Sequence, residues 1–352
     1  VADASSGGAG VRRLVIDLAD ARPIFALPPE VMDAIRSRLP GWEVVAVDVA
    51  ADGTGDGGGP VSPRARDAVR SGAEIYMGFG IPAALIREGP GLRWVHSGSA
   101  GVRGSLTPEL VASDVVFTNS AGIHGPPVAE TVIAYLLHFA RGLDLAVRAQ
   151  ARSVWDKRPF DGVDTPVREL GRSTVGVVGL GGIGREVAWR ARSLGARVVA
   201  TRRRPEAGGQ EGVELLTGPD RLERLLERSD YVVLTLPETS ETAGLIDAGA
   251  LSRMRREAVL VNVSRGGLVD EPALVAALES GTIRGAALDT FTNEPLPEDH
   301  PLWSAPGVLI TPHTSGYTRA FWEREAALIL DNIDRYLRGA PLRNMVDRQA
   351  GY

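Results

Sequence analysis

The sequence predicts an α/β protein built on two parallel sheets. Short β-branched runs alternate with helical patterns along most of the chain, the order that joins parallel strands through crossover helices. A glycine-rich turn stands between a strand and a helix near the middle, where such sheets present a binding site. At 352 residues the chain is too long for one small core and suits two domains.

The first strands are predicted at Arg12–Asp17, Trp42–Asp48, Glu74–Met77, Leu92–His96 and Val115–Thr118. Helices fall between them at Pro29–Leu39, Pro63–Arg70, Pro82–Arg87 and Pro108–Ala112. Each opens on Pro, which suits a first helical turn because the N–H there needs no partner. Ala51–Pro60 (ADGTGDGGGP) reads as a flexible surface loop. A long helix is expected over Pro126–Ala149, with Val128, Val132, Tyr135, Leu136 and Phe139 at helical spacing. A second series has strands at Thr174–Val178, Arg197–Ala200, Tyr231–Leu236, Val259–Val263, Gly285–Leu288 and Val308–Thr311. The amphipathic segment Arg319–Leu337 supplies the last helix.

Composition removes several function classes. With 44% hydrophobic and 24% charged residues, the chain is neither disordered nor fibrous. A net charge of −5 offers no general attraction to nucleic acid or an anionic membrane. The absence of Cys excludes disulfides, thiolate catalysis and Cys-bound metals. No cluster of His, Asp and Glu has metal-ligand spacing, so no metal is expected. Val1–Gly10 lacks the apolar core of a signal peptide, and no run reaches the roughly 18 apolar residues of a membrane span. A cytoplasmic protein is expected. Lys157 is the one Lys among the basic residues, so a lone Arg carries little information here.

The glycine turn reads Gly179-Leu180-Gly181-Gly182-Ile183-Gly184, directly after Val175–Val178 and before a helix that Gly195 ends. This is a G-x-G-x-x-G pattern inside a complete βαβ unit. Its glycines serve a tight turn, close approach to a pyrophosphate and close helix–strand packing. The helix N-terminus adds oriented N–H groups for the anion. The next strand runs into Thr201-Arg202-Arg203-Arg204 rather than into the acid that would hold a ribose 2′-OH. Guanidinium forks match the oxygens of a 2′-phosphate, so NADP is expected, with NAD kept open.

Three further patterns carry chemistry: Arg265 in Asn262–Gly267 (NVSRGG), Glu294 in Leu288–Pro295 (LDTFTNEP) and His313 in Ile310–Gly316 (ITPHTSG). Each follows a predicted strand, where open α/β sheets bind ligands. An Arg, a carboxylate and a His make a proton-transfer site with an anion clamp. His138 reads as structural and His300 as an exposed loop residue. His96 and His124 stay open as competitors for the site.

These motifs resemble the D-isomer-specific 2-hydroxyacid dehydrogenase family. The likeness covers LRWV at 92–95, SAGV at 99–102, NSAGIHGPPVAE at 119–130, the glycine turn and LTLP at 234–237. It continues through VNVSRGGLVD at 261–270, GAALDTFTNEPLP at 285–297 and ITPH at 310–313. It implies two Rossmann-like or flavodoxin-like domains with parallel sheets. A discontinuous substrate domain would take residues 1–122 and 318–352, and a dinucleotide-binding domain residues 123–317.

By position, the resemblance implies that Arg265 clamps the substrate, His313 is the acid/base and Glu294 orients the imidazole. Ser99, Ala100 and Gly101 join Arg265 and His313 in binding the substrate. Gly179, Gly181, Gly182, Ile183, Gly184, Thr201, Arg202, Arg203, Leu236, Pro237, Val263 and Asp289 would line the cofactor. The family also implies a homodimer through the helix 126–149, with Trp155 near the partner's cleft. The expected activity is hydride transfer between a nicotinamide cofactor and a small 2-keto or 2-hydroxy acid, with NADPH-dependent reduction favoured. Two departures stand out: Arg202 replaces the usual ribose acid, and Arg103 stands where a substrate-loop acid often follows. Formate dehydrogenases of this superfamily carry Gln at the Glu294 position, which disfavours that activity. A dinucleotide-sensing corepressor and a phosphite-type dehydrogenase remain alternatives.

Overall fold

A computed structural model describes residues 11–47, 61–349 and 351. The loop expected at 51–60 and the N-terminal segment 1–10 lie outside the described residues. The chain divides into two compact units, Val1–Ile123 with Thr318–Tyr352, and His124–Tyr317.

The first unit holds β1 (Arg13–Asp17), β2 (Glu43–Ala46), β3 (Ile75–Gly78), β4 (Trp94–Ser97) and β5 (Val116–Asn119). All pairings are parallel and the order is β2-β1-β3-β4-β5, the flavodoxin-like doubly wound arrangement. Every residue of β3 and β4 is buried, as a parallel strand covered on both faces requires. Alternate side chains serve opposite layers. Leu14, Ile16, Met77 and Trp94 pack with Phe321, Trp322, Ile329 and Ile333 of the helix Phe321–Leu337. Val15, Tyr76, Val95 and Phe117 pack with Val69, Leu85 and Leu110. The last helix thus belongs to this unit because its apolar stripe completes the first layer. Beyond it, Met345 bridges Thr118 in antiparallel fashion, covering the open edge of β5.

The second unit holds β6 (Thr174–Val178), β7 (Arg197–Thr201), β8 (Glu214–Leu215), β9 (Tyr231–Leu234), β10 (Val259–Asn262), β11 (Gly285–Leu288) and β12 (Val308–Ile310). Its parallel order is β12-β11-β10-β9-β6-β7-β8. The order reverses between β6 and β9, which creates the crevice where doubly wound sheets bind ligands. β8 has only two residues, too short to show a period, and no strand was expected there.

The helix expected over Pro126–Ala149 is two helices, Gly125–Ala140 and Leu143–Ala151. Gly142 breaks them apart with φ +65°, the left-handed conformation that Gly adopts at little cost. The last two carbonyls of the first helix are both used. Gly142 N–H and Arg284 both donate to the Phe139 carbonyl, and Arg168 N–H donates to that of Ala140. Arg284 also pairs with Asp144 at 3.2 Å, at the start of the second helix. Val128, Val132, Tyr135, Leu136 and Phe139 of the first helix lie in the core of this unit.

Candidate active site

The glycine turn adopts the form that its spacing implies. Gly179 has φ +102°, and a Cβ there would meet Thr235 O at 2.9 Å. A Cβ on Gly184 would lie 2.1 Å from Gly179 O, so only Gly lets the helix Gly182–Ser193 begin this close to β6. A Cβ on Gly181 would meet nothing within 4 Å, and no side chain caps the helix N-terminus. Space and oriented N–H groups thus coincide at Gly181 and Gly182, with Ile183 half-buried beside them. That arrangement fits a dinucleotide pyrophosphate.

At the end of β7, Thr201 is buried at 5% exposure. Its carbonyl accepts from the N–H groups of Gly179 and Leu180. The residue therefore shapes the turn through its backbone. Arg202 is half-buried and donates to the Gly208 carbonyl, while exposed Arg203 lies 3.5 Å from Glu241. No acid occupies this strand end. Of the other expected cofactor residues, Leu236 is half-buried, Pro237 exposed and Val263 buried.

Arg265, Glu294 and His313 follow β10, β11 and β12, three adjacent strands. Asn262 organises the first loop: its Nδ2 donates to the Arg265 carbonyl at 2.8 Å, and its Oδ1 accepts from Ser264 N–H at 3.1 Å. A Cβ on Gly266 would fall 1.9 Å from the Phe291 carbonyl carbon. The glycine after Arg265 therefore lets the Arg265 loop and the Glu294 loop touch. Phe291 N–H donates to Glu294 Oε1 at 2.9 Å, and Thr292 N–H donates to Glu271 Oε1 at 2.7 Å. Glu294 Oε2 then lies 2.7 Å from His313 Nδ1.

Electrostatics follow from these contacts. The hydrogen bond to Glu294 raises the His313 pKa, against burial and the positive charge of Arg265. Burial alone would raise the Glu294 pKa. The hydrogen bonds from His313 and Phe291 N–H, with the charges of His313 and Arg265, lower it on balance. The pair therefore favours an imidazolium beside a carboxylate.

His313 has φ +53°, a left-handed conformation costing a non-Gly residue roughly 1–2 kcal/mol. Asp289 holds it there. Its side chain is fully buried, and its oxygens accept from the Thr311 hydroxyl and from the N–H groups of Thr314 and Ser315. Asp289 thus braces the histidine loop from behind. Tyr135 Oη hydrogen-bonds Thr311 from the first helix of this unit, and burial pushes its pKa up to about 12. Tyr135, Thr311 and Asn262 went unassigned in the sequence; only the position of Asn262 within the NVSRGG motif pointed to it.

In the first unit, Ser99, Ala100 and Gly101 lie in the loop after β4, with Ala100 exposed. His96 is fully buried against Thr118 and Glu325, all of the first unit, which removes it as a competitor for acid/base work. His124 precedes the helix Gly125–Ala140, its Nδ1 3.4 Å from the Gly316 carbonyl. His138 packs edge-on against Phe139, and burial lowers its pKa. His300 is half-buried rather than exposed: it caps Leu302 N–H and stands 3.5 Å from Glu271. Among the described residues no group of three or more His, Asp or Glu could hold a metal ion, and no helix is long and apolar enough to cross a membrane.

A seven-stranded parallel sheet with this glycine turn at its order reversal defines the dinucleotide-binding α/β class. Residues 133–315 match the family model for the D-isomer specific 2-hydroxyacid dehydrogenase, NAD binding domain. The chain belongs to the D-isomer specific 2-hydroxyacid dehydrogenase family. It is 35% identical over 275 residues to a glyoxylate reductase of Korarchaeum cryptofilum, covering 76% of this chain and 80% of the relative. A D-3-phosphoglycerate dehydrogenase of Methanocaldococcus jannaschii is 31% identical over 281 residues, 79% of this chain. The chain spans about half the length of that relative, 51%. Among solved structures, a D-isomer specific 2-hydroxyacid dehydrogenase of Xanthobacter autotrophicus, in complex with NADPH and MES, superposes with a TM-score of 0.78. It is 32% identical, and the match covers 97% of this chain and 99% of that one.

Proposed function

We propose that this protein is an NADPH-dependent reductase of small 2-keto acids that yields the D-2-hydroxy acid. The observation carrying this reading is the His313–Glu294 pair at 2.7 Å, on strands adjacent to the one that leads into Arg265. When bound, the nicotinamide dinucleotide supplies the hydride. Arg265 binds the substrate anion and polarises its keto oxygen. His313 gives its proton to that oxygen, and Glu294 keeps the imidazole charged and oriented until then. Backbone N–H groups of Ala100 and Gly101 bind the substrate carboxylate. Assaying glyoxylate with NADPH tests the reading, and absence of turnover with a panel of 2-keto acids and either cofactor overturns it.

NADPH preference rests on the strand end at Thr201–Arg204, which offers guanidinium groups and no acid. Two charge-assisted hydrogen bonds to a 2′-phosphate, at about 1.5–3 kcal/mol each, predict NADPH favoured over NADH by tens-fold or more in kcat/KM. Arg202→Asp is expected to reverse the preference, since a carboxylate repels the phosphate and accepts from a 2′-OH. Similar efficiencies with both cofactors, unchanged by Arg202→Asp, would show that these arginines serve only the surface.

A homodimer through the segment 126–149 is part of the same reading. The first helix is committed to the core, whereas Leu143, Val147, Val154, Trp155 and Val163 expose large apolar side chains, Trp155 at 91%. Such a patch on one continuous segment marks an interaction site. The expected result is a sedimentation mass of twice 37.3 kDa, reduced towards one copy by Val147→Glu with Trp155→Ala. A monomer at micromolar concentration would remove the proposal.

A further inference from the structure

We infer that Asn119 and Ser120, anchored by a buried Glu325–His96 pair, are positioning residues that aim the backbone N–H groups of Ala100 and Gly101 at the substrate carboxylate. The inference rests on the reading of those N–H groups given above. Its basis is the planar peptide bond, which points each carbonyl opposite to the N–H of the next residue. Holding the Ser99 carbonyl fixes the direction of the Ala100 N–H, and holding the Ala100 carbonyl fixes that of Gly101.

Both carbonyls are held from the end of β5. Ser120 N–H donates to Ser99 O at 3.3 Å, and Asn119 Nδ2 donates to Ala100 O at 2.8 Å. The Asn119 amide is itself fixed, since its Oδ1 accepts from Ala121 N–H at 3.3 Å. One residue earlier in the loop, Ser97 O lies 3.0 Å from Ser120 Oγ, and Ser97 Oγ accepts from Ser99 N–H at 3.2 Å. Two residues of the neighbouring strand end thus hold the carbonyls of Ser97, Ser99 and Ala100.

The grip is in turn tied to the last helix. Ser120 Oγ is 2.9 Å from Glu325 Oε1, which also lies 3.1 Å from His96 Nε2. An imidazole donating through Nε2 accepts at Nδ1 from the Thr118 hydroxyl, 2.9 Å away. Thr118 Oγ1 accepts from the Trp94 indole N–H at 2.8 Å. The side chains of His96 and Glu325 are fully buried, and Glu325 Oε2 has no hydrogen-bond partner. A buried carboxylate with one oxygen unsatisfied costs stability, and well-packed apolar residues commonly do as well or better. Stability alone therefore gives no reason for this cluster, whereas control of the Ser120 position does.

The test compares variants in the whole chain with glyoxylate as substrate. Asn119→Ala and Glu325→Ala are expected to raise KM roughly tenfold or more, with a smaller change in kcat. The NADPH dissociation constant, read by fluorescence, should not move. Glu325→Gln, which keeps an oxygen for Ser120 and His96, should recover most of the loss. Calorimetric titration with oxalate, an unreactive dicarboxylate, should show the same weakening as KM. Arg348→Ala removes a tether to the Leu110, Ser113 and Val115 carbonyls of the same unit. It should lower the melting temperature with KM unchanged, which separates positioning from general destabilisation. Gly101→Pro deletes one proposed donor. If Gly101→Pro raises KM while Asn119→Ala and Glu325→Ala lower only the melting temperature, the positioning role is wrong and the carboxylate reading stands. If a folded Gly101→Pro protein keeps its KM and oxalate affinity, the carboxylate reading falls and takes this inference with it.

Discussion

His313→Gln is expected to slow keto-acid reduction by about 10²–10⁴-fold, the usual worth of a positioned acid, with NADPH binding nearly intact. The histidine sits on a braced loop outside the glycine turn, so its loss removes the proton donor without disturbing the turn. The hydrogen bond that it donates to Glu294 raises its pKa above the ordinary 6.5. The reactive imidazolium is therefore populated below that raised value and is lost as pH climbs through it. The kcat/KM for reduction should be flat on the acid side and fall on the alkaline side. Glu294→Gln withdraws the negative charge, so the falling limb should move to lower pH and reduction at neutral pH should weaken. Near-normal turnover of His313→Gln, or a pH profile that Glu294→Gln leaves in place, would falsify the acid/base assignment.

Arg265→Ala should be nearly as damaging, through a different parameter. A guanidinium that binds an anion through two charge-assisted hydrogen bonds contributes about 1.5–3 kcal/mol for each. Losing both predicts a drop in kcat/KM of about 10²-fold or more. The effect should appear in KM for the keto acid and in kcat, because the same group polarises the oxygen that gains charge in the transition state. Arg265→Lys keeps the charge but not the planar fork and should recover only part of the loss. The charge of Arg265 opposes protonation of His313, so the alanine variant should also carry its alkaline limb to higher pH. Kinetics equal to the parent protein would exclude Arg265 from the site.

The alternation of strands and helices was plain in the sequence because buried parallel strands read as short β-branched runs bounded by Pro and Gly. The glycine turn was equally plain, since a positive φ at 179 and a close backbone approach at 184 leave glycine as the residue at both. Arg265, Glu294 and His313 could be singled out because each follows a strand in a distinctive short motif. The break at Gly142 was not readable: a Gly within a helical pattern can be tolerated or can end the helix. What decided it were Arg168 and Arg284, distant in sequence, which take the carbonyls at the helix end.

The sequence by itself determined the fold class, the family and the residue types of the site, because these depend on local period, local turn chemistry and contiguous motifs. Only the tertiary structure decided what each site residue touches. It showed Asp289 bracing the His313 loop and the Thr201 carbonyl shaping the glycine turn. It buried His96 against Glu325, 229 positions apart in the chain. Hydrogen bonds of this kind join strand ends and a returning helix, and no local pattern records them: a polar side chain is equally at home in water or against a buried partner until the fold supplies one.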